Sequence, residues 1–97
     1  MVTKVDCFVV DTAGGEVATA LCLVLRSAGI ATDRAFDGRS MKSQMKSASK
    51  SGARVAVIVG EDEKAAGTAT IRDLRAGEQT TVDLESAVDH IRRVLDS

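Results

Sequence analysis

Glu61, Asp62 and Glu63 follow directly on an unbroken apolar run, Val55 to Val59, and on Gly60, the glycine that ends it. A buried strand that stops in clustered carboxylates puts hydrogen-bond acceptors where open α/β sheets hold ligands, at the carboxyl ends of parallel strands. A second group is basic. Between Arg34 and Arg54 the chain carries Arg34, Arg39, Lys42, Lys46, Lys50 and Arg54 against one acid, Asp37, within a chain of formal net charge -1. Such asymmetry marks either a polyanion-facing surface or a solvated helix face. Lys42, Lys46 and Lys50 recur every four residues, and like charges at that spacing oppose helix formation by about 0.2–0.5 kcal/mol per pair. A helix that tolerates this cost presents its lysines to an anion. Arg39, just ahead of it, extends the same surface toward a phosphate, together with the free amides of the first helical turn.

Other combinations carry less. The TAGGEV turn after the first strand invites a phosphate-loop reading, but it has neither GxGxxG nor GxxxxGK[ST]. Cys7 and Cys22 lie in apolar segments without CxxC spacing and read as buried, reduced thiols. His90 has no matching nucleophile or metal-ligand cluster, so a catalytic base is not expected there. A receiver-like phospho-acceptor domain would need an aspartate at the end of the third strand, where this chain has Val59-Gly60. No apolar run approaches the roughly 18 residues of a membrane span, and no export signal opens the chain. A cytoplasmic location without a membrane partner is expected.

The elements that must position these groups follow from periodicity. Val5 to Val10 reads as a buried strand, ended by Asp11 and Thr12, with Gly14-Gly15 turning into a helix whose apolar positions run from Val17 to Ala28. Ile30 to Ala35 is a weaker strand, and Asp33 and Arg34 suit it to a sheet edge. Ser40 is a good N-cap for a helix to Ser51, on which Met41, Met45 and Ala48 form a narrow apolar face beside the lysines. Thr68 to Leu74 alternates, with Ala69 and Ile71 on one side and Thr68, Thr70 and Arg72 on the other. Gly77 suits a turn that needs positive φ, so Gln79 to Val82 returns as the antiparallel half of a hairpin. Asp83 is expected to cap a last helix with Leu84, Val88, Ile91 and Leu95 on one face. With 97 residues there is room for one domain. The expected fold is a three-layer α/β/α arrangement: a five-stranded mixed sheet, strand 4 antiparallel, with three helices on its two sides.

The stretch GRSMKSQMKSASKSGARVAVIVGEDEKAAGTATIRDLRAGEQTTV carries a family likeness. Its GxxxKxQ helix start, the SGAR before an apolar strand, G-E-x-E, a G-T step and D-L-R-x-G-E-Q resemble the C-terminal anticodon-binding domain of bacterial-type class II histidyl-tRNA synthetases. The resemblance implies a class IIa anticodon-binding-domain-like fold over residues 1–97 that grips the anticodon arm of histidine tRNA, whose anticodon is rich in guanine. It also implies that Glu63 and Arg72 contact anticodon bases and that Lys46 lies close to another basic contact.

The full set expected to meet RNA is Arg39, Lys42, Lys46, Glu61, Glu63 and Arg72. A carboxylate such as Glu63 can accept two hydrogen bonds from the Watson-Crick edge of guanine, and Arg72 can pair with a base or phosphate and stack on a base plane. The lysines would add the salt-sensitive phosphate term. Phe8 and Phe36 are the only aromatics, and Phe36, beside Arg39, is either a core plug or a stacking platform.

Aminoacylation needs an ATP and histidine site, which the family places in a separate, larger domain. The resemblance therefore implies no catalysis and no cofactor for this chain alone, with ATP and Mg belonging to the catalytic domain that would be its partner; DNA is not expected as a partner. Beginning at the first strand and ending after the last helix, the chain reads as an excised C-terminal domain. The alternative is a stand-alone synthetase-like interaction or regulatory module that does not read tRNA.

Overall fold

A computed structural model describes residues 5–12, 15–34 and 40–96; Phe36, Asp37, Gly38 and Arg39, Gly14 of the first turn, and the side chain of Met41 lie outside the described residues. The chain runs β1 (Cys7–Asp11), α1 (Glu16–Ser27), β2 (Thr32–Arg34), α2 (Met41–Lys50), β3 (Val55–Val59), α3 (Glu61–Ala66), β4 (Thr68–Asp73), β5 (Gln79–Asp83), a 3-10 turn (Leu84–Ser86) and α4 (Ala87–Asp96). The sheet order is β2-β1-β3-β4-β5. β1 pairs in parallel with β2 and β3, whereas β4 is antiparallel to both β3 and β5. This is the expected mixed sheet with strand 4 reversed, and the short, charged β2 lies at its edge.

The connections explain the layering. From β1 the chain steps outward through α1 to β2, then returns through α2, past β1, to β3. Right-handed crossovers that step in opposite directions leave their helices on opposite faces. Cys7, Val9, Val55, Val57, Val59, Ala69 and Ile71 point to one face, where Leu21, Leu25 and Ile91 of α1 and α4 seal them into the larger core. Phe8, Val10 and Ala56 point to the other, against Ala48 of α2 and Ala53.

Among the described residues four helices flank the sheet where three were expected. The acidic tripeptide is not a loop but the first turn of α3, with Gly67 as its left-handed C-cap at φ 71°. Three carboxylates at a helix amino end suit the macrodipole, and Ala65 and Ala66 are strong helix formers. Asp83 also departs from expectation. It stands at the N-cap position of the 3-10 turn, as the last residue of β5, but its side chain makes no capping bond. Ser40 does cap α2, its Oγ accepting the Ser43 N–H at 3.3 Å. Both cysteines are buried and free, and burial raises both thiols, Cys7 to about 12.

Candidate nucleic-acid interface

α2 lies over β1 and does not extend across β4 and β5. The alternation of β4 directs Thr70 and Arg72 to the α2 face, opposite Thr81 and Gln79 of β5, a polar row in which Thr70 is buried and bonded to Glu63 of α3 while Arg72 is exposed. Between the row and the flank of α2 runs a groove of about 520 Å³ lined by Lys42, Met45, Lys46, Ser49, Arg72 and Leu74. Among the described residues its walls hold three cations and no carboxylate. Lys42, Lys46 and Arg72 are exposed. Met45 and Leu74 are half-buried and packed on the core of this face, so they give the groove an apolar floor.

The geometry of α2 accounts for this arrangement. Ala48 faces the sheet, Met45 lies at the margin, and positions 42, 46 and 49 succeed one another along the flank at helical spacing. The lysines expected to share a stripe therefore do so, and the stripe lies beside Arg72. Lys50, in the last turn, is exposed but outside the groove.

Glu63 is held where β4 meets α3. Its Oε1 accepts the Gly60 N–H at 2.8 Å, and its Oε2 accepts from the Thr70 hydroxyl at 3.4 Å. This is half of a capping box, since Gly60 has no side chain with which to return the bond. Gly60 is a matter of room rather than of backbone conformation: a Cβ there would stand 2.8 Å from Glu63 Oε1. The Thr70 hydroxyl also shares a hydrogen bond with Thr81 Oγ1 at 3.2 Å. Glu63 thus reaches the same face as Arg72 through Thr70, two residues away along the strand, or about 7 Å at ordinary strand rise. It lies beyond the end of the groove rather than within its walls. Glu61 and Asp62 are exposed on the first turn of α3, outside the groove as well. Arg39 lies outside the described residues.

The crevice at the carboxyl ends of β1 and β3 is occupied by the protein's own polar groups. Asp11 Oδ2 accepts the Ala18 N–H at 3.1 Å, so the amino end of α1, where a phosphate-loop reading would place its anion, already faces a carboxylate. Gln44 was not singled out from the sequence. It is 1% exposed and clamps the Asp11 peptide, with Oε1 accepting the N–H and Nε2 donating to the C=O, both at 2.9 Å. Gln44 thereby ties α2 to the last residue of β1. A polar residue on the apolar side of α2, between Met41 and Ala48, was the available signal.

Past the groove, Asp73 organises the β4–β5 turn. Its Oδ1 accepts the N–H groups of Arg75 at 2.9 Å and Ala76 at 3.1 Å, and its Oδ2 lies 3.7 Å from Arg54 Nη2. The Ala76 N–H foremost, then that of Arg75 and the charge of Arg54, hold its carboxyl below the usual aspartate value. Gly77 closes the turn at φ 76°, as its sequence position suggested.

A family model described as an anticodon binding domain matches residues 5–94. The chain is 51% identical over 78 residues to a histidine–tRNA ligase of Desulforudis audaxviator, covering 80% of this chain and 19% of that protein. It is 49% identical over 84 residues to one from Pelotomaculum thermopropionicum, covering 84% of this chain and 20% of that protein. Among solved structures, histidyl-tRNA synthetase from Nostoc sp. PCC 7120 superposes with a TM-score of 0.86 at 34% identity, over 96% of this chain and 23% of that one. The apo enzyme of S. aureus superposes with a TM-score of 0.78 at 27% identity, over 92% and 23%. The chain spans about a fifth of the length of the curated relatives it matches.

Proposed function

We propose that this chain, which belongs to the anticodon binding domain family, holds the anticodon arm of histidine tRNA in the groove between α2 and β4. In this reading it is the recognition part of a cytoplasmic histidyl-tRNA synthetase. The carrying observation is that Lys42 and Lys46 and the sequence-distant Arg72 line one open groove with no acid among the described residues of its walls. Phosphates of an unstacked loop meet the two lysines, and a base lies over Met45 and Leu74, where a thioether and an aliphatic side chain replace the aromatic platform. Arg72 reaches base edge or phosphate from the sheet, and Glu63, with Glu61 near it, presents carboxylate oxygens to guanine at the open end. Adenylate formation, with its ATP and magnesium, belongs in this reading to a catalytic domain elsewhere in the enzyme.

Titration of histidine tRNA and of an anticodon-altered transcript at low and moderate salt tests the reading. The native transcript is expected to bind more tightly. Lys42→Ala and Lys46→Ala are each expected to weaken both transcripts alike and to flatten the salt dependence by about one unit of slope. Equal and negligible binding of the two transcripts by the unaltered chain would favour an interaction module instead.

A further inference from the structure

The groove does not end at Leu74. Ser49 and Leu74 also wall a second cleft, of about 320 Å³, completed by Gly52, Ala53, Arg54 and Arg75. The two hollows share a wall, so the basic lining runs from Lys42 and Lys46 past Arg72 to Arg75 and Arg54, and among the described residues no carboxylate lines either of them. Acids enter only one hollow further on, where Arg54, Arg75 and Arg92 meet Asp6 and Asp96. Resting on the anticodon-arm reading, we propose that the bound RNA continues across the Ser49–Leu74 ridge into this second cleft, where Arg75 takes a backbone phosphate outside the nucleotides read in the groove.

Arg75 is built for that position. Its own N–H and that of Ala76 are pinned by Asp73 Oδ1, so the turn holding Arg75 is fixed while its side chain stays exposed. Asp73 pairs with one lining residue, Arg54, and accepts the turn amides, without itself lining the cleft. The Leu74 N–H donates to the Arg54 carbonyl at 2.8 Å, which holds the turn against the segment leading into β3. A guanidinium on a rigid turn, beside a groove already lined with cations, is suited to a phosphate whose position the groove sets. Phosphate contacts of this kind position a nucleic acid without reading its sequence.

The test uses the whole chain with a histidine tRNA transcript and its anticodon-altered form, by salt-dependent titration and hydroxyl-radical footprinting. Arg75→Gln is expected to weaken both transcripts about tenfold and to lower the salt slope by about 1. It should leave the ratio between the transcripts unchanged and remove backbone protection outside the anticodon loop. Ser49→Glu, which sets a carboxylate on the shared wall, should act in the same direction. If the unaltered chain fails to prefer the native anticodon, the function reading itself fails. If the preference is present but Arg75→Gln keeps wild-type affinity, slope and footprint, only the second cleft is overturned, and an acidic protein surface becomes its better occupant. Protection lost within the anticodon loop instead would place Arg75 at the reading groove and overturn the proposal as well.

Discussion

The two faces of the sheet are built on opposite terms. On one, α1 and α4 close over β1, β3 and β4, and Leu25, Val57 and Ile91 have no exposed surface. On the other, α2 covers β1, the core contains three alanines among its buried residues, and the β4–β5 half is polar, exposed at Arg72, Gln79 and Thr81 with Thr70 buried. The buried face of α2 is narrow, Gln44 and Ala48 with Met45 at its margin, and the lysines stand at the edge of the uncovered area. Stability is thus concentrated on the face that RNA would not touch, and the open face can be shaped for recognition at little cost to the fold. Changes on the sealed face should therefore move stability and leave binding alone, and changes on the open face should do the reverse.

The largest effect is expected from Ile91→Ala. Removing a fully buried side chain of α4 leaves a cavity between helix and sheet, at a cost of about 2–5 kcal/mol. Urea denaturation measures this directly. At temperatures where the variant is folded, tRNA affinity should be that of the unaltered chain, since no groove residue touches Ile91; a matching loss of affinity would break the separation between the faces.

Glu63 sharpens the comparison because it stands between the two roles. Glu63→Gln keeps an acceptor for the Gly60 N–H, so stability should fall by no more than about 1 kcal/mol. If the carboxylate also reads a guanine, discrimination against the altered anticodon should drop by about 1–3 kcal/mol. Unchanged discrimination with reduced stability would confine Glu63 to building the turn between β3 and α3.

Much of this was legible in residue order. Val55 to Val59, unbroken and apolar, could only be a strand buried on both faces, and the structure gives it those bounds. The alternation Ala69, Ile71 against Thr70, Arg72 fixed the two faces of β4, although Thr70 is itself buried. The four-residue spacing of the lysines fixed their common flank. What could not be read was tertiary. Whether that flank lies on the Arg72 side depends on the crossover path from β2 to β3, not on any local pattern. Gln44 finds its partner 33 residues away, at the end of β1. The helix at Glu61 was readable from its acidic first turn and its closing glycine. Six residues are short enough that the acids drew attention as ligands before they were seen as a helix start.

The smallest expected effect lies at the far end of the open face, where Asp73 fixes the turn that carries Arg75. The folded state holds this carboxyl below its ordinary 3.8, through the amides of Ala76 and Arg75 and the charge of Arg54. A depressed folded value means the unfolded chain binds the proton more readily. The contribution is therefore fully present above the ordinary value and is lost as pH falls through the folded one, below about pH 4. Asp73→Asn retains an oxygen for the two turn amides but gives up the charge opposite Arg54, so it should cost under about 1 kcal/mol at neutral pH. In acid the two proteins should converge, as the unaltered chain loses the same charge. RNA binding at neutral pH supplies the finer comparison. With its backbone still pinned, Arg75 should hold its phosphate, and Asp73→Asn should leave affinity near that of the unaltered chain while Arg75→Gln lowers it. Equal losses in the two variants would show that the Asp73 charge, rather than the Asp73 hydrogen bonds, keeps the second cleft in shape.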